Sequence, residues 1–330
     1  MTAARHLVVP GLFAAAPGSP GMCPGSRQSP RYPHLERVLG RARERGAVVG
    51  YAETLFALFG LAPSPDADLP TAAVCYRADS GLASDAFLLH ADPVHLVPDQ
   101  DRLLLFPVPP ASLTAALEAA YVAAFNRHFA ADGLELLAPV PGHWYVRADR
   151  DHQVRTAPLS AVARRNVDAC LPRGPDAAAW RQYLNETQML FHPLAASAES
   201  DMPVNGLWFS GAGRLPHQPS RAVVVERADA ALARGLAALA PTAGAGAVVR
   251  LRVEESLLRA DLTGDADLRQ ASLLRLEAEV AELSGAELSL YPCDGRSFHW
   301  RPRDRWRWWR RPHPVTGGPV DLPAPRQPTR

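Results

Sequence analysis

There is no lysine in this chain of 330 residues; all 35 basic side chains are arginine. That absence excludes chemistry built on a lysine amine, from Schiff-base formation to the phosphate-cradling lysine of a Walker loop. Net charge is also scarce. With 35 basic and 34 acidic side chains the formal charge is +1, too little for an overall field that would recruit nucleic acid or anionic membrane. Only four cysteines occur, Cys23, Cys75, Cys170 and Cys293, far apart and with no CxxC pair, which argues against a zinc ribbon and against a secreted disulfide framework. Long hydrophobic runs are missing too. The N-terminal apolar stretch at 6–16 is broken by Pro10 and Gly11, making it a poor signal peptide and too short for a membrane span. These absences point to a cytoplasmic protein. What remains is 47% hydrophobic and 21% charged, the balance of a soluble chain with a real core, long enough for one large α/β domain or two smaller ones.

The chain is organised around 203–216. Leu207, Trp208 and Phe209 read as a short buried strand, entered after Pro203 and left through Gly211 and Gly213. Neither glycine carries a Cβ, so the backbone can turn sharply there and approach a ligand closely. Upstream, 180–192 has helical spacing, with Asn185, Gln188 and His192 in line on one face and Trp180, Leu184 and Phe191 for packing. A polar helix face, a buried strand and a glycine loop in succession describe the floor of a site. Candidate ligand contacts are therefore Asn185, Gln188, His192, Asn205, Trp208, Ser210, Gly211, Gly213 and Arg214. Arg214 is the nearest group for a bidentate phosphate or carboxylate contact. The bland alternative is a solvated helix face and a plain strand-to-helix connection.

Around this centre, strands alternate with helices. Strands are expected at 7–12, 72–76, 102–108, 144–147 (at an edge), 222–226, 247–253 and 287–291. Helices are expected at 34–46, 48–61, 110–132, 229–239 with Asp229 as N-cap, and 267–283. Residues 17–33, rich in Gly, Pro and Ser, read as a mobile loop. This alternation predicts an α/β fold with a mainly parallel sheet flanked by helices, a single domain over 1–312 with a lobe boundary near 214–221, and a disordered tail at 313–330. His90, Asp92 and His95 are types a divalent metal accepts, but the spacing matches no metal motif and a turn at Asp92-Pro93 is the simpler reading. Near the C-terminus arginine is interleaved with tryptophan from Arg305 to Arg311. Such a pattern suits an edge strand with tryptophans inward, or a surface that stacks on bases or sits at a membrane interface.

Several of these stretches together resemble a family. Those at 91–96, 185–192 and 203–216, with the Trp308-Trp309-Arg310-Arg311 ending, look like the RpfE-type bacterial regulatory proteins over about 7–311. More distantly, Asn205, Trp208, Gly211 and Gly213 are similar to the Asn-x-x-Trp-x-x-Gly-x-Gly signature of archaeal-type cofactor-independent phosphoglycerate mutases, and 229–239 resembles the segment that follows. That resemblance implies an alkaline phosphatase-like fold, two divalent metals and a Ser or Thr nucleophile. The departures are equally specific. The family's first strand ends in Asp-Gly with a metal-binding aspartate, where this chain has Pro10-Gly11. Its later Asp and His ligands would fall at 254–261, which keeps Glu254, Glu255 and Asp261 but no histidine. Without those ligands a two-metal phosphoryl transfer lacks its charge clamp.

The expected function is thus a degenerate, non-catalytic phosphoglycerate mutase-like protein with a regulatory role, binding a small phosphorylated or carboxylate ligand and needing no cofactor. Two alternatives stand beside it. One is an active metal-dependent phosphomutase or phosphohydrolase using Mn²⁺ or Zn²⁺ on His90, Asp92, His95 and His192. The other is an interaction module working through the Arg/Trp segment, nucleic acid being the less expected partner.

Overall fold

The computed structural model describes residues 5–14, 31–62, 67–196, 198, 200–228, 230–241 and 249–315. Most of the loop expected at 17–33 and of the tail expected at 313–330 lies outside them, as does Asp229.

Strand β1 (Arg5–Val8) leads to α1 (Pro33–Arg41), β2 (Arg43–Val49), α2 (Tyr51–Phe59) and α3 (Thr71–Ser80). Then come β3 (Phe87–Asp99), β4 (Arg102–Pro107), α4 (Ala115–His128), β5 (Leu134–Val140), β6 (His143–Ala148), α5 (Leu159–Val162), α6 (Ala177–Ala196) and β7 (Gly206–Gly213). The chain closes with β8 (Val223–Ala228), α7 (Ala231–Leu239), β9 (Val249–Val253), α8 (Ser256–Thr263), α9 (Ala266–Leu283), β10 (Leu288–Tyr291) and β11 (Asp294–Trp300).

These strands form two sheets. The first runs β2-β11-β10-β1-β9-β8, parallel from β10 through β8, with β11 and β2 added antiparallel at one side. Helices cover both its faces, as a mainly parallel sheet requires. Leu7, Leu288 and Leu290 pack with Leu35 and Val38 of α1 and Leu273, Leu276 and Val280 of α9. Val8, Leu251 and Val253 pack with Leu55 and Phe59 of α2, Val74 of α3 and Leu236 of α7. The chain is a mixed α/β protein with a mainly parallel sheet flanked by helices. The second sheet is antiparallel, built from β3, β4, β5, β6 and β7, with α4 and α6 on its far face around Trp180, Phe191, Phe209 and Trp144. The chain leaves it after Gly213 and rejoins the parallel sheet at Val223.

Helix α3 sits between the sheets and requires glycine partners. A Cβ at Gly235 of α7 would collide with the Val74 carbonyl, and one at Gly211 (φ +65°) with Thr71 Oγ1. At Gly213 (φ +152°) a Cβ would lie 2.8 Å from Pro70 Cβ. The close approach that the glycines were expected to offer a ligand is taken by α3.

Several expectations are corrected. Residues 72–76 are helical, because a short apolar run buried on all sides has no period to separate strand from helix. Asp92-Pro93 is no turn; β3 runs straight through it. Pro93 falls between the stretch paired with β6, which ends at His90, and that paired with β4, which begins at Val94, so its missing N–H breaks neither ladder. Gly211 and Gly213 end strand β7 rather than forming a loop. Strand β6 lies inside its sheet between β3 and β5, not at an edge, with Trp144, Tyr145 and Val146 all buried. The helix after β8 starts at Ala231 with Ala230 as an N-cap that gives no side-chain bond. The Arg/Trp segment is a 3-10 helix (Pro302–Trp306) followed by turns, its tryptophans facing out.

Because Gly235 fits only without a Cβ, Gly235→Ala is expected to destabilise the fold by about 1–3 kcal/mol, the usual cost of overpacking. Chemical denaturation measures it; a variant as stable as the parent would show that α3 and α7 separate freely.

Candidate functional site

The residues singled out from sequence fall into three groups. Asn185 and His192 are exposed and Gln188 donates back to the Leu184 carbonyl (3.4 Å), so that helix face is largely solvated. Asn205, Trp208, Ser210 and Gly211 are structural. The Asn205 side chain accepts from Leu96 N (2.7 Å) and donates to Leu96 O (2.9 Å), imitating a strand residue and extending the β3–β7 ladder. Trp208 is buried and its Nε1 donates to the Ala157 carbonyl (2.8 Å); Ser210 is buried opposite His90; Gly211 N donates to Thr156 Oγ1 (3.0 Å). Gly213 and Arg214 remain, and they line a cavity.

That cavity has a volume of about 290 Å³ and lies where the linker between α2 and α3 meets β3 and β7. Phe56, Leu61, Leu69, Phe87, Val154 and Pro216 give it an apolar body, while Asp68, His152 and Arg214 are its ionisable groups. Asp68 is held by Thr156, whose backbone N donates to it at 2.8 Å and whose hydroxyl donates as well. Burial raises the Asp68 carboxyl and those bonds pull it back. His152 is buried between Phe87 and Trp180, with neither ring nitrogen hydrogen-bonded, and burial lowers its basicity, so it is a neutral wall. Arg214 is half exposed and its Nε and Nη2 donate to Asp151 Oδ1 at 2.8 and 2.6 Å. An ion pair this open contributes little, about 0–1 kcal/mol, and yields readily to a competing anion.

A second polar cluster lies where α3, β6 and α7 meet. Asp79, at the end of α3, is buried and accepts from His143 Nδ1 (2.8 Å), Tyr145 OH (2.7 Å) and Arg234 Nη2 (3.1 Å). Burial works against its charge, but these donors prevail and hold the carboxyl below its usual range; the bond to Asp79 raises His143 in turn. His90 packs against the Tyr145 ring, centroids 5.3 Å apart and tilted by 38°. It and Asp92 keep some accessible area but are ringed by protein; burial pushes His90 down to about 4 and Asp92 up to about 7. Glu255, just past β9, is also raised by burial, and the buried Tyr51 hydroxyl faces it without closing a hydrogen bond of normal geometry. Ionisable groups with shifted protonation concentrate at functional sites, and the carboxyl ends of parallel strands are where open α/β sheets bind ligands. Sequence reasoning missed Asp79, His143 and Arg234, and met Glu255 only as an acid kept at 254–261, because no spacing rule joins positions so far apart.

The residues do not fit a two-metal centre. His95 Nδ1 bonds the Pro203 carbonyl (2.8 Å) and His192 stands in solvent, so neither joins His90 and Asp92. Among the described residues no group of three or more His, Cys, Asp or Glu could hold a metal ion. After β1, where the resemblance would place a metal-binding aspartate, Pro10 offers no donor and an internal cation fills the turn. Arg269, buried, donates to the carbonyls of Gly11 (3.2 Å), Leu12 (3.2 Å) and Ala14 (2.8 Å) and pairs with Asp261 at 2.8 Å. Of the other acids of 254–261, Glu254 accepts from Ser256 N (3.1 Å), and Glu255 faces the Tyr51 hydroxyl.

No protein-family model and no curated protein matches the chain. Among solved structures it is similar to the cofactor-independent phosphoglycerate mutase from Thermoplasma acidophilum DSM 1728, at 12% identity over 91% of this chain and 90% of that one, with a TM-score of 0.33. It is also similar to the PH0037 protein from Pyrococcus horikoshii, at 12% identity over 89% of this chain and 85% of that one, with a TM-score of 0.40. At such scores neither likeness bears on the chemistry of the site.

The Asp92 environment gives a pH signature. Its carboxyl titrates near 7 folded against roughly 4 unfolded. The folded state therefore binds the extra proton between those values, and Asp92 costs stability progressively as pH rises through that window. Asp92→Asn is expected to raise the melting temperature near pH 8 and to change it little at about pH 4. An equal gain at both would contradict the shift.

Proposed function

We propose that this protein is a non-catalytic α/β protein of the alkaline phosphatase-like type, resembling a cofactor-independent phosphoglycerate mutase and the RpfE-type regulatory proteins, that binds a small carboxylate or phosphate ligand. The observation that carries the first half is Arg269. A guanidinium on the Gly11, Leu12 and Ala14 carbonyls supplies, from within the chain, positive charge where an active relative would need a metal and its carboxylate ligand. A resident cation on a stem repels a second one and offers no open coordination position, so it serves structure and not phosphoryl transfer.

The cavity supports the second half. Its aromatic and aliphatic walls suit the carbon body of a small acid, and Arg214 at its rim is the group to engage the acid's charge by leaving Asp151. Asp68 also lines the cavity, with its Oδ2 accepting from the Thr156 backbone N and hydroxyl, which occupies part of its charge. A regulatory role fits a protein that keeps such a pocket without the reaction.

Calorimetric titration with 3-phosphoglycerate tests the site. Measurable binding that weakens about tenfold or more in Arg214→Ala, the scale of one charge-assisted contact, is the expected outcome. Binding indifferent to Arg214 would remove the cavity from the account.

A further inference from the structure

Three tryptophans near the C-terminus are strongly exposed, Trp306 at 68%, Trp308 at 78% and Trp309 at 65%. Aromatic area this large on one short segment is unusual for a surface with no partner. The exposure is not fraying, because the backbone beneath them is tied down. Arg41 Nη1 donates to the Arg305 carbonyl (2.5 Å), Arg307 Nη1 to the Arg41 carbonyl (3.2 Å) and Arg310 Nη1 to the Ala42 carbonyl (3.1 Å). Asp304 is buried, accepting from Arg301 N (2.9 Å) and pairing with Arg307 (3.2 Å), and Val315 beyond re-enters the core. The chain is thus anchored on both sides of a platform that turns its indoles outward.

The charge of this platform is one-sided. Between 301 and 315 the sequence has six arginines and one acid, Asp304, which is buried and already paired. Arg303, Arg305 and Arg311 are exposed, and the Arg305 guanidinium lies 5.1 Å from the centre of the Trp306 ring. A chain with a formal charge of +1 therefore carries a local cationic and aromatic face.

We propose that this face docks on an anionic lipid surface. Indoles combine an apolar body with an N–H and settle at the boundary between headgroups and acyl chains, and arginines beside them add attraction to anionic headgroups. The arrangement is interfacial: among the described residues no helix is long and apolar enough to cross a membrane. The geometry favours lipid over single-stranded nucleic acid. Trp308 and Trp309 stand at 82° to one another and the Trp306 ring already carries Arg305, so no row of parallel open faces receives successive bases. This binding is independent of the cavity, and either could fail alone.

The test uses the full chain and vesicles of phosphatidylcholine with and without phosphatidylserine, read by co-sedimentation and by the blue shift of tryptophan emission. Binding to the anionic vesicles is expected at low salt, about a hundredfold weaker on neutral ones from the loss of attraction at three arginines, and reduced by added salt. The triple variant Trp306→Ala, Trp308→Ala, Trp309→Ala should lose the binding with its circular dichroism and melting temperature unchanged, since those side chains support no core. Arg303→Gln with Arg305→Gln and Arg311→Gln should lose the preference for anionic vesicles. No binding to anionic vesicles, binding untouched by the tryptophan variant, or a tryptophan-dependent affinity for oligo(dT) without one for lipid would each overturn the proposal.

Discussion

The fold depends on the fit of α3 between two sheets of different kinds. Its flank meets α7 at Gly235, its start meets β7 at Gly211 and Gly213, and its end delivers Asp79 to one donor apiece from His143, Tyr145 and Arg234. A buried carboxylate is tolerable only when its lone pairs are filled, and those three donors come from β6 and α7, on either side of the helix. Packing and electrostatics therefore require the same geometry. Removing a methyl-sized clearance or a single donor would loosen the joint between the parallel and antiparallel sheets.

From that joint follow the positions of everything chemical. Holding the antiparallel sheet against α3 encloses His90, Asp92 and Tyr145, and burial then drives His90 and Asp92 toward their neutral forms. The same contact leaves a cavity where the α2–α3 linker crosses the end of β7, with Gly213 and Arg214 on its rim. On the far side of the parallel sheet, Arg269 closes the turn after β1.

Much of the architecture was legible in the sequence. Strands β1, β4, β8, β9 and β10 and helices α2, α6 and α9 announced themselves by periodicity and by flanking breakers, and their alternation implied the parallel sheet. The antiparallel sheet was not anticipated as a separate layer, because β3 and β7 pair across more than a hundred positions and neither carries a partner's address. The segment at 72–76 was misread because burial on every side erases the helical period. The tail misled for the opposite reason: the alternation of Arg and Trp over 305–308 imitates a strand, yet nothing beside it offers a ladder and the indoles face water. Of the site, only Gly213 and Arg214 were found with a cavity in reach. Asn205, Trp208 and Ser210 look like site residues in sequence because a buried polar atom is needed as much to close a sheet edge as to hold a ligand.

The proposal that the turn after β1 is filled by Arg269 and holds no metal is tested most directly by metal content. Elemental analysis of the purified protein, followed by titration with Mn²⁺ and Zn²⁺ while thermal stability is monitored, should find no stoichiometric metal and no shift of the melting temperature at low micromolar ion. One or two ions bound tightly per chain, with a rise in melting temperature, would contradict it.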